Sequence, residues 1–392
     1  MTGTPPPADE APEVVCLGES MVTFLPERPG RLAEVPSFTR AIGGAESNVA
    51  CALAAAGHRA KWVGRVGRDG FGEHLVRAIG GYGVDVTAVR TDPRRPTGVY
   101  FRTATDRASD AHEVVYYRAG SAASAMSPET VPYAALADAR ILHLSGITPA
   151  LSASCLALVR ELTAPRAGRP LVSFDVNFRP GLWADPAEGG RVLLELARGA
   201  DLVFVGADEA EDAWGVGEPE AIRALLPEPA VLVVKRGGEG AVVFERGGEG
   251  AVVSERAAVS SPGAPPPDPR ASNAGGAGFA PGGEGAASGG GAAAPDLVVS
   301  VPAPRVDVVA PVGAGDAFAA GFLSGTLRGL GTVARVRHGH LTAAAALTVP
   351  GDLAEPPRRA RADRLAGLDE AAWGRLHLGP GWTGDDQEVR TP

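Results

Sequence analysis

Short continuous apolar runs alternate with helix-compatible segments along most of the chain. Residues 14–18, 61–66, 141–144, 171–174, 202–205 and 231–234 each read as a buried strand. Between the first two, residues 45–56 form a small-residue helix pattern stopped by Gly57, and after the second, residues 71–79 form an amphipathic one. Strands that show no polar alternation, separated by helices, predict an α/β protein with a mostly parallel central sheet flanked by helices on both faces.

Two stretches break this rhythm. Residues 21–26, and the pair 98–105 and 113–118, alternate apolar with polar positions, as half-exposed antiparallel strands do. They predict a small β-sheet projecting from the main body, over about residues 21–40 and 97–119. Such a sheet is either a lid over a site or a surface on which two copies pair. The second break is a tandem near-copy, residues 236–245 followed by 246–255, and then a run of Gly, Ala, Pro and Ser. That run holds almost no large apolar side chain, so it cannot offset its ordering entropy by burial and is expected to be a disordered insertion over about 256–296. The expected organisation is a disordered N-terminus (1–13), one domain (14–378) and a tail (379–392).

Composition narrows the partners. A net charge of −9 offers no basic face for nucleic acid or an anionic membrane, so an anionic substrate must be met by local positive charge. The three cysteines, Cys16, Cys51 and Cys155, lie far apart in apolar segments without metal-ligand spacing, which suits buried free thiols. No uncharged stretch reaches membrane-spanning length and the start lacks a basic, then apolar, leader pattern; a cytoplasmic location is expected.

The chemistry concentrates at Pro311-Val312-Gly313-Ala314-Gly315-Asp316-Ala317-Phe318, which opens an Ala-rich helix. Two glycines allow successive N–H groups to aim at one point, and the helix dipole adds positive potential there. Asp316 in that place is either a base that takes a proton from an attacking hydroxyl or a residue favoured in any first helical turn. The histidines carry no catalytic pattern, and His143 on a strand reads as a satisfied core residue.

Other motifs follow in order: Gly43-Gly44-Ala45-Glu46-Ser47-Asn48-Val49-Ala50, His143-Leu144-Ser145-Gly146-Ile147-Thr148, Asp175-Val176-Asn177-Phe178-Arg179-Pro180-Gly181, Asp208-Glu209-Ala210-Glu211 and Val234-Lys235-Arg236-Gly237. With the Gly-Ala-Gly-Asp helix, this set resembles the PfkB/ribokinase family of carbohydrate kinases, and within it the kinases of sugar acids. The resemblance runs from about residue 14 to 378 and implies a ribokinase-like fold, with ATP and Mg²⁺ as cofactors. It implies Asp316 as the general base, with Gly313, Ala314 and Gly315 as the anion hole. Gly44, Ala45, Glu46, Ser47, Asn48, Tyr100, Tyr116, Arg118, Arg179 and Asp352 would bind a sugar acid, with 2-keto-3-deoxygluconate the expected acceptor at its 6-hydroxyl. Asn177, Arg179, Lys235 and Gly237 would contact the nucleotide, and Glu211 would hold Mg²⁺ through water.

Tyr116 and Arg118, two apart on a strand, share one face, with Tyr117 packing on the other. For Lys235, a solvated strand-end lysine competes with the nucleotide role; for Gly351-Asp352, a plain turn does. Arg118 and Arg179 together argue for a carboxylated substrate over a neutral sugar of the fructokinase or ribokinase type. A catalytically silent sugar-acid sensor is the alternative of another class. Ala310 stands where the family commonly has an acidic residue near a monovalent-cation site, so dependence on such an ion is left open. A homo-oligomer joined through the lid sheet is expected.

Overall fold

The computed structural model describes residues 11–28, 30–103, 113–247 and 295–384. In chain order the first half runs β1 (Val14–Leu17), β2 (Met21–Pro26), β3 (Phe38–Gly43), α1 (Ala45–Ala55), β4 (Ala60–Val63), β5 (Arg65–Gly67), α2 (Gly70–Gly81), β6 (Arg90–Asp92), β7 (Val99–Arg102), β8 (Val114–Tyr117) and β9 (Ile141–Ser145). Next come α3 (Ile147–Ala150), α4 (Ala153–Thr163), β10 (Leu171–Asp175), α5 (Pro186–Arg198), β11 (Leu202–Gly206), α6 (Ala207–Trp214), α7 (Pro219–Leu225), β12 (Val231–Lys235), β13 (Ala241–Arg246), β14 (Asp296–Val301) and β15 (Arg305–Val306). The chain closes with α8 (Ala314–Leu327), α9 (Thr332–Leu347), α10 (Arg359–Ala366), α11 (Glu370–Gly374) and β16 (His377–Leu378).

The central sheet has the order β14-β13-β12-β11-β10-β9-β1-β4. It is parallel from β4 through β12, and antiparallel at β13 and β14. Its strands are largely apolar on both faces because both are covered. On β1, Val14 and Cys16 enter the layer with α1, α8 and α9, while Val15 and Leu17 enter the layer with α4 and α5. The period of two thus sends successive residues of one strand into two cores. All three cysteines are buried and unpaired, and burial pushes the Cys51 thiol up to about 12.

Small side chains set the approach of the helices that carry the chemistry. Gly321 on α8 leaves no room for a Cβ against the backbone oxygen of His338 on α9, and a Cβ on Gly325 would stand only 3.0 Å from the Arg335 side chain. α1 packs on the same α8, which brings Asn48 to the first turn of that helix.

The projecting sheet is present, in the order β3-β2-β7-β8. Its second strand runs to Gly43 rather than 40, and its central pairing, β2 with β7, is parallel. Alternation of apolar and polar residues reports a half-exposed sheet and is blind to strand direction. Tyr117 is 64% exposed, against the expectation that it packs inward; it meets Phe101 edge-on and leaves most of its ring open.

The chain ends also differ from expectation. The Glu13 amide donates to the Arg59 carbonyl and its carboxylate accepts from the Arg59 amide, so the order begins ahead of β1. Asp296 already belongs to β14; the rest of the expected insertion, and most of the second repeat copy, lie outside the described residues. The expected tail from Gly379 is corrected by Trp382, which is 3% exposed and belongs to the core with Trp373 and Leu378. Trp382→Ala should therefore cost about 3–5 kcal/mol, the usual price of a deleted buried aromatic, and urea denaturation reads it directly. No loss of stability would return the segment to the status of a tail.

Candidate active site

The C-terminal ends of β10, β11 and β12 and the N-terminus of α8 enclose a cavity of about 1010 Å³, with the lid strands β7 and β8 forming another wall. Open parallel sheets place their ligands at this edge. Gly313 holds a φ of 75°, a left-handed conformation that turns the chain into α8. A Cβ there would also collide with the backbone of Asp352, 3.0 Å from its carbonyl carbon. That turn leaves the first N–H groups of α8 without helical partners and directed at the cavity.

Asp316 stands in the first turn of α8 and lines the cavity. Asn48 Nδ2 donates to its Oδ2 at 2.9 Å. Withdrawal from water, aided by the nearby Asp175 and Glu46 charges, raises the carboxyl to about 7, while Asn48 and Lys235 oppose the rise. A carboxylate at that value is poised to accept a proton near neutral pH. Asn48 Oδ1 is buried without a partner in the protein, as is Asn177 Oδ1, so both can accept from a bound hydroxyl. Asn177 adopts a φ of 42°, the one positive value at a non-glycine among the described residues.

Lys235 is not a solvated strand-end lysine. Its Nζ donates to both oxygens of Asp175 at 3.0 Å, and lies 3.6 Å from where a Cβ on Gly315 would stand. Burial would lower its pKa, but Asp175 and Glu209 outweigh burial and hold it above the ordinary lysine value. The result is a fixed ammonium beside the N–H cradle. Burial pushes Asp175 upward, with Lys235 working against the rise.

Several expected site residues fall elsewhere. Glu46 is fully buried and turned away from the cavity: Ser145 Oγ and Thr148 Oγ1 each donate to its Oε1 at 2.8 Å, and burial raises its pKa. Ser47 donates to Ser20 Oγ at 3.0 Å and is equally internal. Gly43 and Gly44 make room for the chain itself, Gly43 for the Tyr100 and Asp352 side chains and Gly44 for the Glu19–Ser20 backbone. Both still line the cavity, as do Ala45 and Asn48.

Glu211 does not face the site; Glu209 does. The Glu209 carboxylate accepts from the Gly206 amide at 3.0 Å and from Arg179 Nη1 at 3.3 Å, and although burial opposes it, Lys235 and these donors hold its pKa below the usual range. Two residues apart on a helix point about 200° apart, so only one of the pair can face the cavity.

Arg118 lines the cavity on the face it shares with Tyr116, its guanidinium over that ring, but it is already ion-paired with the buried Glu19, which also accepts from Ser121 Oγ at 2.6 Å. Arg179 also lines the cavity. Tyr100 donates to Asp352 Oδ2 at 2.7 Å. Gly237 lines the cavity with Gly238 and Gly240. His143 is the core residue expected: its Nδ1 meets Ser173 Oγ at 3.0 Å, and burial, helped by the Lys235 charge, lowers it to about 3. Ala310 is buried, with its amide on the Leu347 carbonyl. Glu19, Arg102, Asp175 and Glu209 were not singled out from the sequence; only Asp175 and Glu209 carried a signal, since each sits inside a quoted motif.

A buried carboxyl with a raised pKa, an N–H cradle and a fixed ammonium at the edge of a ribokinase-like sheet are the groups a phosphotransferase site needs. The profile described as pfkB family carbohydrate kinase matches residues 11–264 and 282–358, and the chain belongs to that family. It is a carbohydrate kinase. The 2-dehydro-3-deoxygluconokinase of Bacillus subtilis (strain 168) is 33% identical over 352 residues, covering 88% of this chain and 93% of that protein. The enzyme of the same name from Thermoproteus tenax is 36% identical over 240 residues, covering 60% of this chain and 73% of its own. The crystal structure of a PfkB protein from Polaromonas sp. JS666 superimposes with a TM-score of 0.69 at 31% identity, covering 90% of this chain and 99% of that one. No helix among the described residues is long and apolar enough to cross a membrane.

Proposed function

We propose that this chain is an ATP-dependent kinase of sugar acids that phosphorylates 2-keto-3-deoxygluconate at its 6-hydroxyl. The observation that carries the reading is Asp316, held by Asn48 at the mouth of the Gly313–Gly315 turn with the Lys235 ammonium alongside. Asp316 accepts the hydroxyl proton as that oxygen bonds to the terminal phosphorus of ATP; the bond from phosphorus to the bridging oxygen breaks and ADP leaves. The amides at the start of α8 and Lys235 stabilise the charge on the transferring group. Asn48 and Asn177 offer acceptors to hydroxyls, and closing the lid wall excludes water.

The donor set fits Mg²⁺ in one way. Asp175 is committed to Lys235, and among the described residues no group of three or more metal-binding side chains gathers. Asp208 and Glu209, both on the cavity wall, would hold the ion, with phosphate oxygens and water completing its shell. When bound, Mg²⁺ supplies neutralisation of phosphate charge.

The relatives named 2-dehydro-3-deoxygluconokinase support the acid over other sugars. A neutral-sugar acceptor is favoured by one observation: Arg118 and Arg179 already face carboxylates, Glu19 and Glu209. An ADP-release assay across sugars and aldonic acids decides between them. We expect Arg118→Ala and Arg179→Ala each to lower kcat/KM for the acid by about 10–100-fold, the worth of a charge-assisted hydrogen bond, and to change neutral sugars far less. A wild type that prefers fructose or ribose would sink the sugar-acid reading.

A further inference from the structure

Arg102, on lid strand β7, is 3% exposed and lines the cavity, yet the reaction proposed above gives it no role. Its Nη2 donates to Asp352 Oδ1 at 2.8 Å and to the Pro350 carbonyl at 3.3 Å. Tyr100, two residues earlier on the same strand, donates to the other Asp352 oxygen. One lid strand therefore grips a three-residue segment at both ends. The same segment backs the cradle, because the Asp352 backbone lies directly against Gly313, where no Cβ fits.

Burying an Arg–Asp pair costs desolvation that a hydrophobic pair would avoid, so stability alone does not account for it. Resting on the kinase reading above, we propose that Arg102 is a positioning residue that fixes residues 350–352 behind Gly313 and so ties the placement of the N–H cradle to the lid. It touches neither the reacting oxygen nor the phosphoryl group; it acts through Asp352 and Gly313. Phosphoryl transfer depends steeply on such placement, since a shift of about 1 Å in a reacting geometry costs on the order of 10²-fold in rate.

The test is steady-state kinetics of the full chain on the best acceptor of the sugar panel, with ATP and acceptor varied separately. Arg102→Met is expected to lower kcat by about 10–100-fold, with both KM values within about threefold of wild type. Arg102→Lys, which keeps the positive charge but lacks the planar guanidinium, should recover part of the loss. If Arg102→Met does not fold, the drop in kcat at unchanged KM is read from Arg102→Lys alone. A rise in acceptor KM at unchanged kcat would make Arg102 a binding contact and overturn the proposal. Unchanged kinetics in a folded variant would overturn it too. A wild type that turns over no acceptor would instead overturn the kinase reading on which this one stands.

Discussion

Asp316→Asn is expected to lower phosphoryl transfer by about 10²–10⁴-fold and, at the same time, to raise the stability of the protein. The first effect is the loss of the carboxylate proposed to take the hydroxyl proton, since an amide oxygen keeps the hydrogen bond from Asn48 but has negligible basicity. The second follows from the sign of the pKa shift. Burial raises the folded-state value to about 7 from an ordinary 3.8, so the wild type loses stability as pH climbs between those two values and stays at that lower level above them. The asparagine variant carries no such loss. Its advantage should be near zero at about pH 4 and full above about pH 7, on the order of 2 kcal/mol after allowing for the side of the carboxylate open to the cavity. Wild-type kcat/KM should rise with unit slope towards about pH 7 and then level, because only the ionised form accepts a proton. Calorimetry at the two ends of the pH range and an ADP-release profile read both effects. Retained turnover in the variant would remove Asp316 from the reaction; a stability gain independent of pH would reject the shifted carboxyl.

The trade of stability for reactivity at Asp316 shows which kind of information the sequence carried. Strands buried on both faces are legible as unbroken apolar runs, and the Gly-Ala-Gly-Asp turn is legible because a left-handed Gly313 and a helix start leave a local signature. Facing is less legible. Glu46 and Ser47 read as ligand contacts because they follow the Gly43-Gly44 turn, yet α1 lies against β1, β4, β9 and α8, and both side chains are buried. Glu211, implied only by the family resemblance, lies off the cavity wall while Glu209 lies on it, because the phase of α6 goes with a Gly206 amide–Glu209 contact that no residue type announces. Arg102 and Asp352 are 250 residues apart, and their pairing depends on the lid strand meeting the loop after α9, which no local pattern contains.

The lysine of β12 is the clearest case of non-local construction, and removing it should have the second-largest effect. Lys235 pairs in register with Gly206 on β11; because that position has no side chain, the ammonium crosses the intervening strand to Asp175 on β10. Lys235→Met should cut kcat by about 10²–10³-fold, the scale seen when one preorganised donor to a developing charge is lost. Two further signatures separate this from simple damage. Lys235 holds the Asp316 carboxyl down, so without it the activity midpoint should move above about pH 7. Asp175 would be left buried and unpaired, at a cost of about 3–5 kcal/mol if it stays ionised. Its folded value is already raised by burial, so it should take up a proton instead, and the loss of stability should shrink as pH falls. Restoring neutrality in the double variant Lys235→Met with Asp175→Asn should recover stability at high pH and leave kcat low. Recovery of kcat along with stability would show that the ammonium only balances a buried charge and does not act on the phosphoryl group.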